Sequence, residues 1–69
     1  MTVKDRLLQF IKSLDMPISQ FEKSAKLANG FVNSIRVSVA PKSLEKILVV
    51  YPKLNKIWLL HGEGEMLNE

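Results

Sequence analysis

Between residues 29 and 38 the chain reads NGFVNSIRVS, in which apolar residues are interspersed with hydrogen-bonding ones and only Arg36 carries a charge. Wound at about 3.6 residues per turn, the segment turns Val32, Ile35 and Val39 to one side. Gly30, Asn33, Ser34, Val37 and Ser38 fall on the opposite side, with Asn29 at the N-terminal edge. An asparagine amide holds a donor and an acceptor side by side, which matches the N6/N7 edge of adenine in a two-point contact. The Ser34 hydroxyl both donates and accepts and so discriminates weakly, while Val37 is suited to a thymine methyl. Gly30 removes a side chain where a backbone could approach closely. Cations surround this uncharged face at Lys23, Lys26, Arg36 and Lys42. Readers in the middle and cations at the rim suit a nucleic-acid duplex, where base edges carry the sequence and phosphates flank them. The N–H groups at the start of such a helix would themselves attract a phosphate.

Each of these residues also has a plainer reading. Asn29 equally suits a helix cap, which would not exclude contact with a DNA backbone, and Asn33 and Ser34 suit an ordinary solvated surface. Trp58 reads as a core or dimer residue before a base-stacking platform. Phe31 lies at the border of the inner and outer faces and is assigned to the core.

Several chemistries are excluded or unsupported. The chain has no cysteine, so disulfides, thiolate metal sites and a cysteine nucleophile are out. His61 is the one histidine, too few for a zinc site built from three or four protein ligands. No histidine stands near Ser13, Ser19, Ser24, Ser34, Ser38 or Ser43 in sequence, and neither catalysis nor a cofactor is expected. The GEGE run at 62–65 lacks a third glycine and follows a helical pattern, so it is no nucleotide loop. No apolar run approaches the roughly 20 residues of a membrane span, and no signal peptide opens the chain.

With 69 residues, 46% of them hydrophobic, the chain suits one small domain around a single marginal core. The net charge of +3 is unevenly spread. Residues 1–22 are balanced. Residues 23–56 hold Lys23, Lys26, Arg36, Lys42, Lys46, Lys53 and Lys56 against Glu45 alone, and the end holds Glu63, Glu65 and Glu69. A basic middle fits a polyanionic partner, though it equally fits a solvated lysine surface.

Five short helices would position the uncharged face. Val3, Leu7, Phe10, Ile11 and Leu14 predict a first helix over about 2–14, with Thr2 and Asp5 as a capping box and Pro17 behind it. Ser19 and Glu22 repeat the S-x-x-E signature, with Ile18 ahead as a staple, and predict a second helix over about 19–26 with Phe21, Ala25 and Ser24 inward. The third is expected near 29–38. Its alternation of Ile35, Val37 and Val39 also fits a strand, and Asn29-Gly30 a hairpin turn, but residues 21–27 offer no strand to pair with it. Pro41 suits the first position of a fourth helix carrying Leu44, Ile47, Leu48 and Tyr51 and stopped by Pro52. Asn55 caps a fifth, with Ile57, Trp58, Leu59 and Leu60 inside it, His61 in its last turn and Gly62 closing it. The expected architecture is a compact all-α domain in which helices 2 and 3, joined by a short turn, form a helix-turn-helix.

On these residues the chain resembles a known family. ISQFEKSA at 18–25 followed by NGFVNSIR at 29–36 is similar to the lambda-repressor-like (XRE-type) helix-turn-helix regulators. PKSLEKIL at 41–48, Tyr51-Pro52 and IWLLHGEGEML at 57–67 extend the resemblance, in particular to N-terminal domains of phage-type repressors common in Bacteroidetes. The resemblance implies a five-helix, cytoplasmic, double-stranded-DNA-binding transcriptional regulator, a repressor, acting as a homodimer on an inverted-repeat operator. It places base reading on Asn29, Gly30, Asn33 and Ser34, and phosphate contacts on Ser19, Gln20 and the segment around Lys42. The turn position that is usually glycine is Lys26 here, and the usual hydroxyl before the third helix is Ala28, which shifts capping to Asn29. Longer members continue into a linker and a dimerisation or peptidase domain, so the chain reads either as an excised domain or as a short regulator.

Phosphate candidates are therefore Ser19, Gln20, Lys23, Lys26, Arg36, Ser38 and Lys42. The apolar excess of Val49, Val50, Ile57 and Trp58 suggests a homodimer contact. It also supports a rival reading, a small helical module that docks a protein partner and binds no DNA.

Overall fold

The computed structural model describes residues 2–36 and 39–68. Five helices follow one another: α1 (Val3–Ser13), α2 (Ile18–Ser24), α3 (Phe31–Ser34), α4 (Pro41–Val50) and α5 (Lys56–His61). Among the described residues there is no strand, only one antiparallel bridge between Leu54 and Leu67.

Local chemistry accounts for most helix ends. Thr2 Oγ1 accepts from Asp5 N at 3.1 Å and Asp5 Oδ2 accepts from Thr2 N at 3.2 Å, which completes the expected capping box. Pro41 opens α4 at a position where its missing N–H costs nothing. Asn55 Oδ1 accepts from Ile57 N and Trp58 N, and Gly62, at φ 74°, ends α5 in left-handed geometry.

The second helix departs from its sequence signature. It begins at Ile18, with Pro17 as an extended cap residue that makes no side-chain hydrogen bond. Gln20 N and Phe21 N both donate to the Pro17 carbonyl. Ser19 therefore lies inside the first turn instead of before it, the capping box with Glu22 does not form, and Ile18 is helical rather than a staple. The third helix is corrected more strongly, from 29–38 to the four residues Phe31–Ser34. Ile35 has φ −65° and ψ 127°, an extended conformation. Ser34 Oγ donates to the Phe31 carbonyl at 2.7 Å, a local bond that competes with further winding. The expected helical placement of Val37 and Ser38 lies outside the described residues.

The core gathers one face from every helix. Leu7, Phe10, Phe21, Val32, Ile47, Leu54 and Leu59 are sealed from solvent, with Ile35, Val39 and Leu44 beside them. Each such side chain contributes about 1.5–3 kcal/mol by leaving water. Phe10, Phe21 and Tyr51 meet at its centre. Phe10 stands edge-on to both other rings, and Phe21 stacks on Tyr51 at 5.4 Å. Ser24, expected inward, is exposed.

Two long-range connections tie the ends of the chain together. Arg6 of α1 donates from Nε to the Leu59 carbonyl at 2.8 Å and from Nη2 to the Leu60 carbonyl at 3.2 Å. A cation thus sits at the C-terminal end of α5, where the helix dipole is negative. The acidic segment after α5 folds back instead of leaving the domain. Asn55 N donates to Met66 O, Asn55 Nδ2 to Glu65 O and Asn68 Nδ2 to Leu54 O.

Candidate nucleic-acid interface

The connection from α2 to α3 takes its shape from one residue in an unfavourable conformation. Lys26 has φ 57°, the left-handed region that costs a side-chain-bearing residue about 1 kcal/mol. It holds the position where the resemblance led us to expect glycine, and the backbone adopts the glycine-like geometry regardless. Lys26 N donates to Lys23 O, and Leu27 N to Glu22 O at 2.7 Å, which closes the end of α2. Gly30, at φ 85°, starts α3, so glycine is required there by the turn itself as well as by any close approach.

Glu22 holds α3 in place, a role the sequence signature did not suggest. Glu22 is 3% exposed. Oε1 accepts from Gly30 N at 3.1 Å and Oε2 from Val32 N at 2.9 Å. An anion at the positive end of a helix, bonded to two N–H groups that lack helical partners, is a strong capping arrangement. The third N–H, that of Phe31, donates to Ala28 O. These bonds overturn two expectations. Asn29 does not cap α3, and the start of α3 does not suit a phosphate, because the Glu22 carboxylate already occupies the Gly30 and Val32 N–H groups there. A signal for Glu22 was present in the sequence: it falls on the apolar stripe of Ile18, Phe21 and Ala25, where a charge needs a partner.

With the backbone of α3 anchored from inside, its outer side chains are left to solvent. Asn29, Gly30, Asn33 and Ser34 are all exposed, and the amides of Asn29 and Asn33 make no hydrogen bond among the described residues. Phe31 is half-buried against the core, as expected. Ser34 spends its donor on Phe31 O and retains acceptor capacity.

The cations separate into groups. Ser19, Lys23 and Asn29 share a depression of about 390 Å³ beside Leu27. Lys26 and Lys42 border a larger groove between the end of α2 and α4. Gln20 and Arg36 are exposed outside both, and Arg36 lies in the bend after α3 instead of on the helix. Lys4 is an addition from α1. Its Nζ donates to the Asn33 carbonyl at 3.4 Å, which brings a cation from the charge-balanced N-terminal part to the edge of the exposed face. Val37 and Ser38 lie outside the described residues.

The dimer candidates are not equivalent. Val49 is 81% exposed and Val50 and Ile57 are about half as open, whereas Trp58 packs partly against the core. Among the described residues no group of three or more His, Asp or Glu side chains is placed to hold a metal ion. No described helix is long and apolar enough to cross a membrane. No family model, curated protein or solved structure matches the chain.

Proposed function

We propose that this chain binds double-stranded DNA as a sequence-specific transcriptional regulator of the lambda-repressor-like (XRE) helix-turn-helix kind, a repressor, with α2 and α3 as the helix-turn-helix. The observation that carries this reading is the unpartnered pair Asn29 and Asn33, exposed in the turn before α3 and on α3 itself, whose start Glu22 anchors, with exposed cations at Lys23, Lys26, Arg36 and Lys42 on the same chain. Anchoring from within matters because a base-reading amide must be held in register while remaining free to bond outward. Lys23, Lys26, Arg36 and Lys42, with Ser19 and Gln20, would neutralise phosphates on either side.

One turn of helix is about 6 Å long and spans few base pairs. High specificity then calls for two copies on an inverted repeat, and the proposed operator complex is a homodimer. Sedimentation with and without operator DNA tests this, and monomer under both conditions would remove the dimer.

A selection from random duplex DNA at two salt concentrations tests the reading itself. Recovery of an inverted repeat, with binding that falls steeply between about 50 and 200 mM salt, is the expected result. Failure to bind at either salt would transfer the reading to the rival, a helical protein-docking module. That rival has its own support in the bare Val49 side chain on α4.

A further inference from the structure

The larger groove, about 850 Å³, runs between the end of α2 and the outer face of α4. Ala25, Leu48, Val49 and Val50 supply its apolar lining, and Lys26, Lys42 and Lys46 its cations, with Glu45 the one acidic residue among them. Leu48 packs partly against the core, whereas Val49 stands outward on the rim, 81% exposed. An apolar strip fenced by cations selects an occupant with an apolar stripe and anionic flanks.

A second copy of the chain meets that requirement poorly. A two-fold contact brings the same patch of each copy face to face. Centred on Val49, it would bring together two copies of a patch that holds three lysines and one glutamate, a net repulsion.

We propose that this groove docks an acidic amphipathic helix of a partner protein, with its leucine-like stripe on Val49 and its carboxylates on Lys26, Lys42 and Lys46. Two of these cations, Lys26 and Lys42, also belong to the proposed phosphate rim. Occupancy of the groove therefore opposes DNA binding. That second half rests on the DNA reading, and the first does not.

The test uses the full 69-residue chain and a synthetic peptide with leucines at helical spacing flanked by glutamates, beside a counterpart with lysines in place of the glutamates. Titration in the absence of DNA, followed by backbone amide shifts, should perturb Ala25, Lys46 and Val49 with the acidic peptide only. Lys46→Glu, outside the proposed DNA contacts, and Val49→Asp should each weaken binding about tenfold or more, a factor that corresponds to a hot-spot contact. Both side chains are exposed, so both variants should keep the wild-type fold. Equal binding of the two peptides, shifts centred on Ile57, or a self-associated form dissolved by Val49→Asp would each overturn the proposal. Displacement of duplex DNA by the acidic peptide supports the antagonism, and simultaneous binding of both overturns it. Should the chain bind the peptide and no DNA at all, the groove assignment stands and the DNA reading falls.

Discussion

The helices α3 and α5 pose one physical problem and solve it in opposite ways. Each is far below the roughly 12–15 residues at which an isolated helix becomes even marginal in water. Each buries one anchor, Val32 in α3 and Leu59 in α5, and each receives an ionised side chain from another helix at the end its dipole prefers. For α3 this is Glu22 at the N-terminal end; for α5 it is Arg6 at the C-terminal end. What differs is how much else holds them. Asn55, Gly62 and the returning segment 65–68 also secure α5. The start of α3 has no side-chain cap of its own and depends on one carboxylate only eight to ten residues earlier in the chain. A helix held at both ends by caps and a returning segment stabilises a fold, whereas one held through its backbone, by Glu22 at its start and Lys4 at Asn33 O, leaves its outer side chains available to a partner.

Breaking the two grips should expose this asymmetry. Glu22→Leu leaves Gly30 and Val32 N–H groups without acceptors and should cost about 3 kcal/mol in urea unfolding. That is a large share of the 5–15 kcal/mol available to a typical domain. Arg6→Met keeps the apolar stem and loses the charged bonds to the two α5 carbonyls, for a cost of about 2 kcal/mol. A smaller loss from Glu22→Leu than from Arg6→Met would show that the single grip on α3 matters less than its burial implies.

Two further substitutions sharpen the comparison from the outside. Asn33→Ala should leave the unfolding midpoint unchanged while relaxing base preference by about 1–3 kcal/mol at one position, read from a binding-site selection. Lys26→Gly relieves the left-handed strain but adds chain entropy to the unfolded state, for a net gain of about 0.5 kcal/mol. The same change removes one cation of the proposed phosphate rim, so if the chain binds DNA as proposed the salt slope should fall by about one.

Most of the architecture could be read from local pattern. Thr2 with Asp5, Pro41, Asn55 and Gly62 mark helix ends because capping is satisfied within a few residues. The inward set Val32, Ile35 and Val39 is buried as expected even though the helix carrying it is shorter. The left-handed geometry of Lys26 was not legible, since a lysine gives no local signal for a positive φ. The misreadings cluster around Glu22. An S-x-x-E pattern looks identical whether its glutamate reaches back to its own helix or forward to the next, and only the burial of that face separates the two. The length of α3 was overstated for a related reason, since periodicity alone shows that Ile35 and Val39 face inward but not that an extended Ile35 delivers both to the core.

Local energetics are thus written into neighbouring residues: caps, breakers, and an apolar stripe on each helix, enough for five helices around one core. Contacts between distant residues are not. Arg6 meets α5 across 53 residues, Asn55 is shared between a helix cap and a returning segment, and Lys4 of α1 reaches Asn33 across 29 residues. Each depends on which helix faces pack together, a choice made by the whole buried surface at once. The outward placement of Asn33 could be read from periodicity, but that Glu22 turns inward and holds the Gly30 and Val32 N–H groups, so that Asn29 is not drawn into capping α3, was decided by the packing.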